Sequence, residues 1–199
     1  MKLHHSPASP FVRKVMACAI ARGIDGRIEL VKSNPHESPA DLLADNPLSK
    51  IPALVTDDGI SIPDSPLICE YLDGIGDAPK LIPASGPARL TALVRQALAD
   101  GLMDAAVGRR GQMPLPQDEG RTAFAARQKA VVARTLAAFE ANPPTGLADI
   151  GAISVACALG YLDFRYAAEP WRANAPKLAA WFESVAGLPP IARTLPPAG

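Results

Sequence analysis

Two short segments place a hydroxyl or carboxyl side chain directly before a proline at the start of a predicted helix. They are SPASPFV, with Ser9 before Pro10, and DSPLICEYLD, with Asp64 and Ser65 before Pro66. Proline suits the first helical turn and serine is a favoured N-cap, so both segments could simply begin helices. The first turn of a helix also presents unpaired N–H groups and the positive end of the helix dipole, which suits an anion. The residues alone leave both interpretations open.

The residue types that serve thiol and metal chemistry are scattered along the chain. The three cysteines lie far apart inside apolar helical patterns, which favours neither a disulfide framework nor a Cys-x-x-Cys site: Cys18, Cys69 and Cys157. A reducing, cytoplasmic environment fits this usage. The histidines show no metal-ligand spacing, and we assign no metal to them: His4, His5 and His36.

The charged residues exclude some classes of partner. Lys plus Arg and Asp plus Glu both number 20, which leaves no electrostatic footprint for nucleic acid or an anionic membrane. The two halves of the chain nevertheless have opposite net charges. Residues 1–77 carry seven basic and eleven acidic side chains (net −4), whereas residues 78–199 carry thirteen basic and nine acidic ones (net +4). No apolar run approaches the roughly 18 residues of a membrane span, and no signal-peptide pattern opens the chain. We therefore expect a cytoplasmic protein without a membrane or nucleic-acid partner.

The start of the chain has the pattern of a strand–helix–strand unit. Residues 1–5 predict a short strand, and apolar residues then recur at helical spacing over 11–20. The segment RIELV at 27–31 alternates as a strand does, with Ile28 and Leu30 on one face.

A hairpin and a helix complete the predicted N-terminal domain. A short helix over ADLLADN precedes IPALVTDDGISI, which predicts two strands around the turn Asp57-Asp58-Gly59. The segment DSPLICEYLD adds a last helix. The predicted order is βαβ–α–ββα, an α/β domain over residues 1–77.

Strand signals are absent from the rest of the sequence. Turn residues without period over 74–88 place a linker at 78–88 and an all-helical domain at 89–199. Helical spacing of apolar residues predicts four long helices, the third apolar nearly all round and therefore buried, at 90–102, 124–139, 147–164 and 175–187. The fold class is thus α/β followed by all-α.

Three motifs in this order resemble the glutathione S-transferase superfamily: SPASPFVRKV at the start, NPLSKIPAL before the hairpin and DSPLICEYLD after it. The resemblance covers essentially the whole chain and is greatest to small bacterial members with an N-terminal SPFVRK. It implies a thioredoxin-like βαβ–ββα domain that binds glutathione as co-substrate, followed by an all-helical domain.

For Ser9 the resemblance implies thiol activation, because in this family the residue at its position faces the sulfur of bound glutathione. Free thiols titrate near ~8.5, so only a few per cent is thiolate at neutral pH. A hydroxyl donated to the sulfur, together with the helix N-terminus, would stabilise the anion. Serine here favours conjugation, whereas a cysteine would form mixed disulfides. A plain N-cap is the alternative role of Ser9.

The resemblance also implies contacts along the rest of glutathione. It implies a cis Ile51–Pro52 bond, with the backbone of Ile51 pairing like a strand with the cysteinyl unit. Lys50 either contacts the glycyl carboxylate or is a solvated loop lysine. At the other end, the Ser65 hydroxyl suits the γ-glutamyl carboxylate and Asp64 suits the ammonium. We expect Ser65 to cap its helix as well.

A pocket for the second substrate is expected between the two domains. Its predicted lining comprises Phe11, which should also border glutathione, and Met103, Val107 and Arg110 from the helix at 90–113. A methionine on such a helix is more often a core residue and an arginine more often solvated, so the lining does not identify the electrophile.

The chain departs from the family's pattern at the buried helix. Members often place Ser or Thr before xAD as its cap, whereas here Gly146 precedes LAD and Thr145 stands one residue too early. We expect the helix to form with a weaker cap. At the end of the first strand, His5 is interpreted as a packing residue rather than a catalytic one.

Two classes of function fit these motifs. The first is a glutathione transferase that conjugates the thiolate to a small electrophile, as in detoxification. The second is a glutathione-binding regulatory relative without turnover, and glutathione-dependent reduction of peroxides or disulfides is a further enzymatic alternative. The resemblance also implies a homodimer in which the N-terminal half of one subunit packs on the helical half of the other, so that the net −4 and +4 halves face each other.

Overall fold

Four short strands form one mixed sheet in the computed structural model, which describes residues 1–197. The strands are β1 (Lys2–His5), β2 (Glu29–Lys32), β3 (Ala53–Val55) and β4 (Ser61–Pro63), in the spatial order β2-β1-β3-β4. β1 runs parallel to β2 and antiparallel to β3, and β3 and β4 form an antiparallel hairpin. Gly59 supplies the positive φ of 85° that the hairpin turn requires.

One α-helix follows each of β1 and β2, and the other α-helices follow β4. In chain order they are α1 (Pro10–Ala21), α2 (Ala40–Asp45), α3 (Ser65–Asp73), α4 (Gly86–Gln112), α5 (Glu119–Ala141), α6 (Ile150–Arg165), α7 (Pro176–Ala186) and α8 (Pro189–Ala192). The predicted fold class, a thioredoxin-like α/β domain followed by an all-helical one, is confirmed. No helix within residues 1–197 has the length and apolarity needed to cross a membrane.

The edge strand β2 differs from its predicted environment. Leu30 pairs with Leu3, so it lies on the core-facing side of the sheet as its spacing with Ile28 predicts. It nevertheless remains 46% exposed, whereas Leu3 is fully buried. The reason is position, because β2 is the edge of the sheet and the core lies over the central strands.

The two basic residues of SPFVRK face inward and join α1 to the helical half. Lys14 is fully buried, and its Nζ lies 2.7 Å and 2.8 Å from the carboxylate oxygens of Asp100 on α4. The Arg13 guanidinium packs against Gly160 of α6, where a Cβ would overlap Nη1. Arg13 also donates to the carbonyl of Ile191 at 3.3 Å. Buried charges need partners of this kind, and here the partners come from the other half of the chain.

The segment between α3 and α4 is held firmly rather than left as a free connection. Asp73 accepts hydrogen bonds from the backbone N–H groups of Leu81 at 2.8 Å and Ile82 at 3.1 Å. Leu81 and Ile82 are buried, and the carbonyl of Leu81 accepts from Ile150 N at 2.9 Å. Helix α4 begins at Gly86, inside the predicted linker at 78–88.

Helix α6 is the buried centre of the second half, as its composition predicts, but its cap differs from the expectation. Every residue from Ile150 to Leu162 is buried. Asp149 is the N-cap itself, and its carboxylate accepts from Ala152 N at 2.8 Å. The expectation of a weaker cap, based on Gly146 and Thr145, is therefore wrong, because the helix starts three residues later and aspartate is among the best N-caps.

Candidate active site

A cavity of about 930 Å³ lies where the sheet domain meets the helices of the second half. The loop before α1, the segment after β2 and the residues before β3 form one wall, and α4 and α6 form the opposite one. The cavity thus opens beyond the carboxyl end of β1, which is where ligands bind in folds with parallel strands. The predicted site residues in its lining are Ser9, Phe11, Lys50, Ile51, Pro52, Asp64, Ser65, Val107 and Arg110.

Ser9 occupies the N-cap of α1 and lines the cavity at the same time. Its Oγ accepts a hydrogen bond from Val12 N at 3.3 Å, and its φ of −80° and ψ of 121° are those of a capping residue. A hydroxyl that accepts this bond keeps its own proton free for another acceptor. Within residues 1–197 the Ser9 hydroxyl donates to no protein group, so it can donate a hydrogen bond to an anion in the cavity.

Ile51 presents an unpaired backbone edge to the cavity. The Ile51–Pro52 peptide bond is cis, as the resemblance implies, and β3 begins two residues after Ile51 at Ala53. Among the described residues, neither the N–H nor the C=O of Ile51 forms a hydrogen bond. Exposed backbone groups of this kind can bind an extended peptide as an added strand.

The start of α3 combines an unusual backbone conformation with an unpaired hydroxyl. Asp64 has φ 68° and ψ 134°, a combination that costs a non-glycine residue about 1–3 kcal/mol and is found at functional sites. Its Oδ1 accepts from Ser65 N at 2.8 Å, so Asp64 is the N-cap of α3. Ser65 is the first helical residue and does not cap, which corrects the expectation that it would. Its Oγ is buried and has no hydrogen-bond partner within residues 1–197.

An acidic group from α4 lies opposite Asp64. Asp100 and Asp104 both line the cavity, and burial raises the pKa of each carboxyl above its usual value. Lys14 opposes this increase in the pKa of Asp100, and Lys50 opposes it for Asp104. The negative charge of Asp64 also raises the pKa of both Asp100 and Asp104, so the three carboxylates lie close enough to interact. A cluster of this kind suits a cation such as an ammonium group.

Met103 does not belong to the site. It is fully buried among core residues and is not part of the cavity lining, so its prediction as a pocket residue is wrong. Successive residues of an α-helix are about 100° apart around its axis. Met103 and its neighbour Asp104 therefore face different directions, and only Asp104 faces the cavity. Val107 and Arg110, by contrast, have the helical phase that faces the cavity.

Several lining residues escaped the sequence reasoning. They are Lys32, Ser33, Asn34, Pro35 and His36 after β2, and Asp100, Asp104, Tyr161 and Arg165 on α4 and α6. Helical spacing backwards from Val107 would have indicated Asp104 and Asp100. His5 is partly buried and lies outside the lining, and burial, followed by Lys32, lowers its pKa. Within residues 1–197 no three side chains of His, Cys, Asp or Glu form a cluster able to hold a metal ion.

Comparison with known proteins identifies the family. A model of the glutathione S-transferase N-terminal domain matches residues 8–75, and one of the C-terminal domain matches residues 122–184. A relative from Escherichia coli K12, the uncharacterized GST-like protein YibF, is 33% identical over an alignment of 202 positions that covers 99% of each chain. The chain belongs to the glutathione S-transferase superfamily.

Solved structures of glutathione transferases share the whole architecture. A crystal structure of a glutathione transferase family member from Pseudomonas fluorescens Pf-5 with bound glutathione is 42% identical, with a TM-score of 0.90 over 99% of each chain. Another from the same strain contains S-(propanoic acid)-glutathione and is 41% identical, with a TM-score of 0.88 over 100% of each chain. A glutathione S-transferase from Methylobacillus flagellatus KT with glutathione bound is 31% identical, with a TM-score of 0.87 over 98% of this chain and 99% of that one.

Proposed function

We propose that this protein is a glutathione transferase that conjugates the thiolate of glutathione to a small electrophile. The observation that carries the proposal is the position of the Ser9 hydroxyl. It lies at the N-terminus of α1 with its proton free, in a cavity that also contains the unpaired backbone of Ile51 and the unpartnered hydroxyl of Ser65. These groups match the thiol, the cysteinyl backbone and the γ-glutamyl carboxylate of one glutathione molecule.

The chemistry follows from a hydroxyl that donates to sulfur. The thiol of bound glutathione loses its proton to water, and the Ser9 O–H together with the N-terminal N–H groups of α1 stabilises the thiolate. The sulfur lone pair then forms a bond to the electrophilic carbon, and the leaving group departs with the electron pair of the bond that breaks. In this proposal Lys50 attracts the glycyl carboxylate and Asp64 attracts the ammonium, and both residues line the cavity.

Conjugation is favoured over reduction by the cysteines of this chain. Cys18, Cys69 and Cys157 are all buried, and none of them lines the cavity. Burial raises the pKa of Cys157 to about 11, so its thiolate is scarce at neutral pH. The S-(propanoic acid)-glutathione bound by the Pseudomonas fluorescens protein is a thioether, the type of product that conjugation yields.

The wider proposal follows the resemblance stated for the sequence. The protein is a cytoplasmic, homodimeric detoxification enzyme of the small bacterial group with SPFVRK, needs no metal, and has no membrane or nucleic-acid partner. The alternative is a glutathione-binding protein without turnover, and the YibF relative, itself uncharacterized, leaves that class open.

Three measurements on the purified chain test the proposal. We expect retention on immobilised glutathione with elution by free glutathione, and conjugation of 1-chloro-2,4-dinitrobenzene faster than the uncatalysed reaction. Retention without turnover would favour the binding function instead. Failure to bind glutathione by calorimetry would reject both functions.

A further inference from the structure

The α4 and α6 wall of the cavity carries opposite charges at its two ends. Asp100 and Asp104 lie near the start of α3, whereas Arg110 lies six residues further along α4. At 1.5 Å per residue this separates Asp104 from Arg110 by about 9 Å along the helix axis. Arg165 from the end of α6 lines the cavity as well.

These two arginines lack the carboxylate partners that their neighbours have. Arg109 pairs with Glu169, and Arg172 pairs with Asp163 at 2.5 Å. Within residues 1–197 neither Arg110 nor Arg165 forms an ion pair, although both border a cavity. Glu169 and Asp163 are thus paired with other arginines. The Arg110 guanidinium is exposed, and the Arg165 guanidinium lies 3.9 Å from the centroid of the Phe164 ring. Within residues 1–197 no carboxylate neutralises either charge, so both can attract an anionic ligand.

Tyr161 adds a hydroxyl to this part of the cavity. It lies one helical turn before Arg165 on the same face of α6 and is only 6% exposed, yet it lines the cavity. Burial raises the pKa of Tyr161, and the guanidinium groups of Arg165 and Arg110 oppose that increase. The hydroxyl therefore stays protonated at neutral pH and can donate a hydrogen bond, and both arginines are close enough to act on it.

We infer that the electrophile conjugated by this protein carries a carboxylate, which Arg110, Arg165 and the Tyr161 hydroxyl bind. The inference rests on the proposed function and names its substrate class. The opposite charges of the wall would orient both substrates, with the ammonium of glutathione at the acidic end and the carboxylate of the electrophile at the basic end. The carboxylate takes no part in bond making.

An aryl chloride with a carboxylate illustrates the reaction and supplies the probes. With 4-chloro-3-nitrobenzoate, the glutathione sulfur bonds to the carbon that bears chlorine, the C–Cl bond breaks and chloride leaves with its electron pair. The product is S-(4-carboxy-2-nitrophenyl)glutathione. The matched neutral probe is the corresponding carboxamide, which has nearly the same shape without the charge.

The decisive experiment compares the Kd values of these two conjugates by calorimetry, which requires no turnover. We expect the wild-type protein to bind the carboxylate conjugate about tenfold more tightly than the carboxamide conjugate. Arg110→Gln and Arg165→Gln should each bring that ratio towards one. Arg134→Gln removes an exposed arginine of α5 outside the cavity lining and should leave the ratio unchanged.

The outcomes separate this inference from the proposed function. If the wild type binds both conjugates equally, the carboxylate inference is wrong, while the glutathione site stands. If it binds neither conjugate, both proposals fail. Arg165 is the last residue of α6 and could simply interact with the helix dipole, but then Arg165→Gln would lower stability without changing the ratio. Arg110 is exposed, so Arg110→Gln keeps the test valid if Arg165→Gln does not fold.

Discussion

A serine hydroxyl can accept one hydrogen bond while it donates another, and Ser9 is placed to do both. Capping and thiolate stabilisation compete as interpretations of the sequence SPASPFV, but the structure makes them compatible. The Oγ accepts from Val12 N, and its proton remains free in the cavity. The two roles must therefore be separated by different measurements on the same variant.

We expect Ser9→Ala to lose both roles. Loss of the cap should lower the free energy of unfolding by about 0.5–2 kcal/mol. Loss of the donor should raise the pKa of the bound glutathione thiol and lower kcat by roughly ten- to a thousandfold at neutral pH, while glutathione still binds. A pH titration of thiolate absorbance with bound glutathione measures the change in thiol pKa, and the conjugation assay measures the change in kcat.

A cap outside the cavity lining provides the control for Ser9. Asp118 caps α5 by accepting from Arg121 N at 2.8 Å and does not line the cavity. Asp118→Ala should lower stability to a similar extent and leave kcat and the thiol pKa unchanged. Superimposable titration curves for wild type and Ser9→Ala, with activity retained, would refute the catalytic role.

Ser65 gives a second prediction, with the opposite effect on stability. Because its buried Oγ has no protein partner, Ser65→Ala removes no hydrogen bond and should leave the stability of the free protein unchanged or slightly higher. The Kd for glutathione should rise about tenfold, because a charge-assisted hydrogen bond to the γ-glutamyl carboxylate is lost. Urea unfolding and calorimetry measure the two effects, with Ser184→Ala on α7 as a distant control. Lower stability with an unchanged Kd would contradict this role.

The sequence predicted the cavity-lining residues that we propose bind glutathione, but it missed most of the lining residues on α4 and α6. Ser9, Ile51 and Ser65 sit in short motifs whose chemistry is local in sequence. Asp100 and Arg165 come from separate helices more than 60 residues apart in the sequence, and only packing brings them to one cavity. The prediction that Met103 lines the pocket was wrong because tertiary contacts decide which face of a helix turns towards the cavity.

At the scale of elements, the order βαβ–α–ββα followed by helices was predictable because turns and periodicity are local signals. The features that depend on tertiary packing could not be predicted in this way. Leu30 has a strand's alternation but lies at an edge, and the irregular segment at 78–88 contains the buried Leu81 and Ile82. The cap of α6 also depended on where the helix begins in the fold, which is at Ile150.

The contact between α4 and α6 leads to a prediction about two glycines. A Cβ on Gly151 of α6 would lie 2.6 Å from the carbonyl oxygen of Ala92 on α4, whereas a Cβ on Gly101 would meet nothing within 4 Å. Alanine is the better helix former by about 1 kcal/mol, so Gly101→Ala should raise the free energy of unfolding by about 0.5–1 kcal/mol. Gly151→Ala should lower it by about 1–3 kcal/mol because α4 and α6 must separate. Urea unfolding of both variants measures the contrast, and equal stabilities would show that the two helices do not pack so closely.

At the scale of the whole molecule, apolar side chains remain exposed on one face of α4. Leu90, Val94 and Leu98 recur every four residues and are 65%, 49% and 42% exposed. They border a groove that reaches Phe139 of α5. Leu67 on α3 is a further exposed apolar residue, and it belongs to the acidic N-terminal half. Apolar patches of this kind mark association surfaces, and the opposite net charges of the two halves favour a two-fold partner that is a second copy.

The last prediction tests that homodimer. Wild-type protein at micromolar concentration should sediment as a dimer in low salt, and high salt should weaken the association because it screens the attraction between halves of net −4 and +4. Leu90→Asp places a charge in the proposed interface and should give a monomer that remains folded by circular dichroism. Leu195→Asp is the matched control, since Leu195 is 67% exposed, lies on the segment after α8 and is not part of the proposed interface, so the dimer should stay intact. A wild-type monomer in low salt would reject the dimer, and a dimer that survives Leu90→Asp would place the interface on another face of the protein.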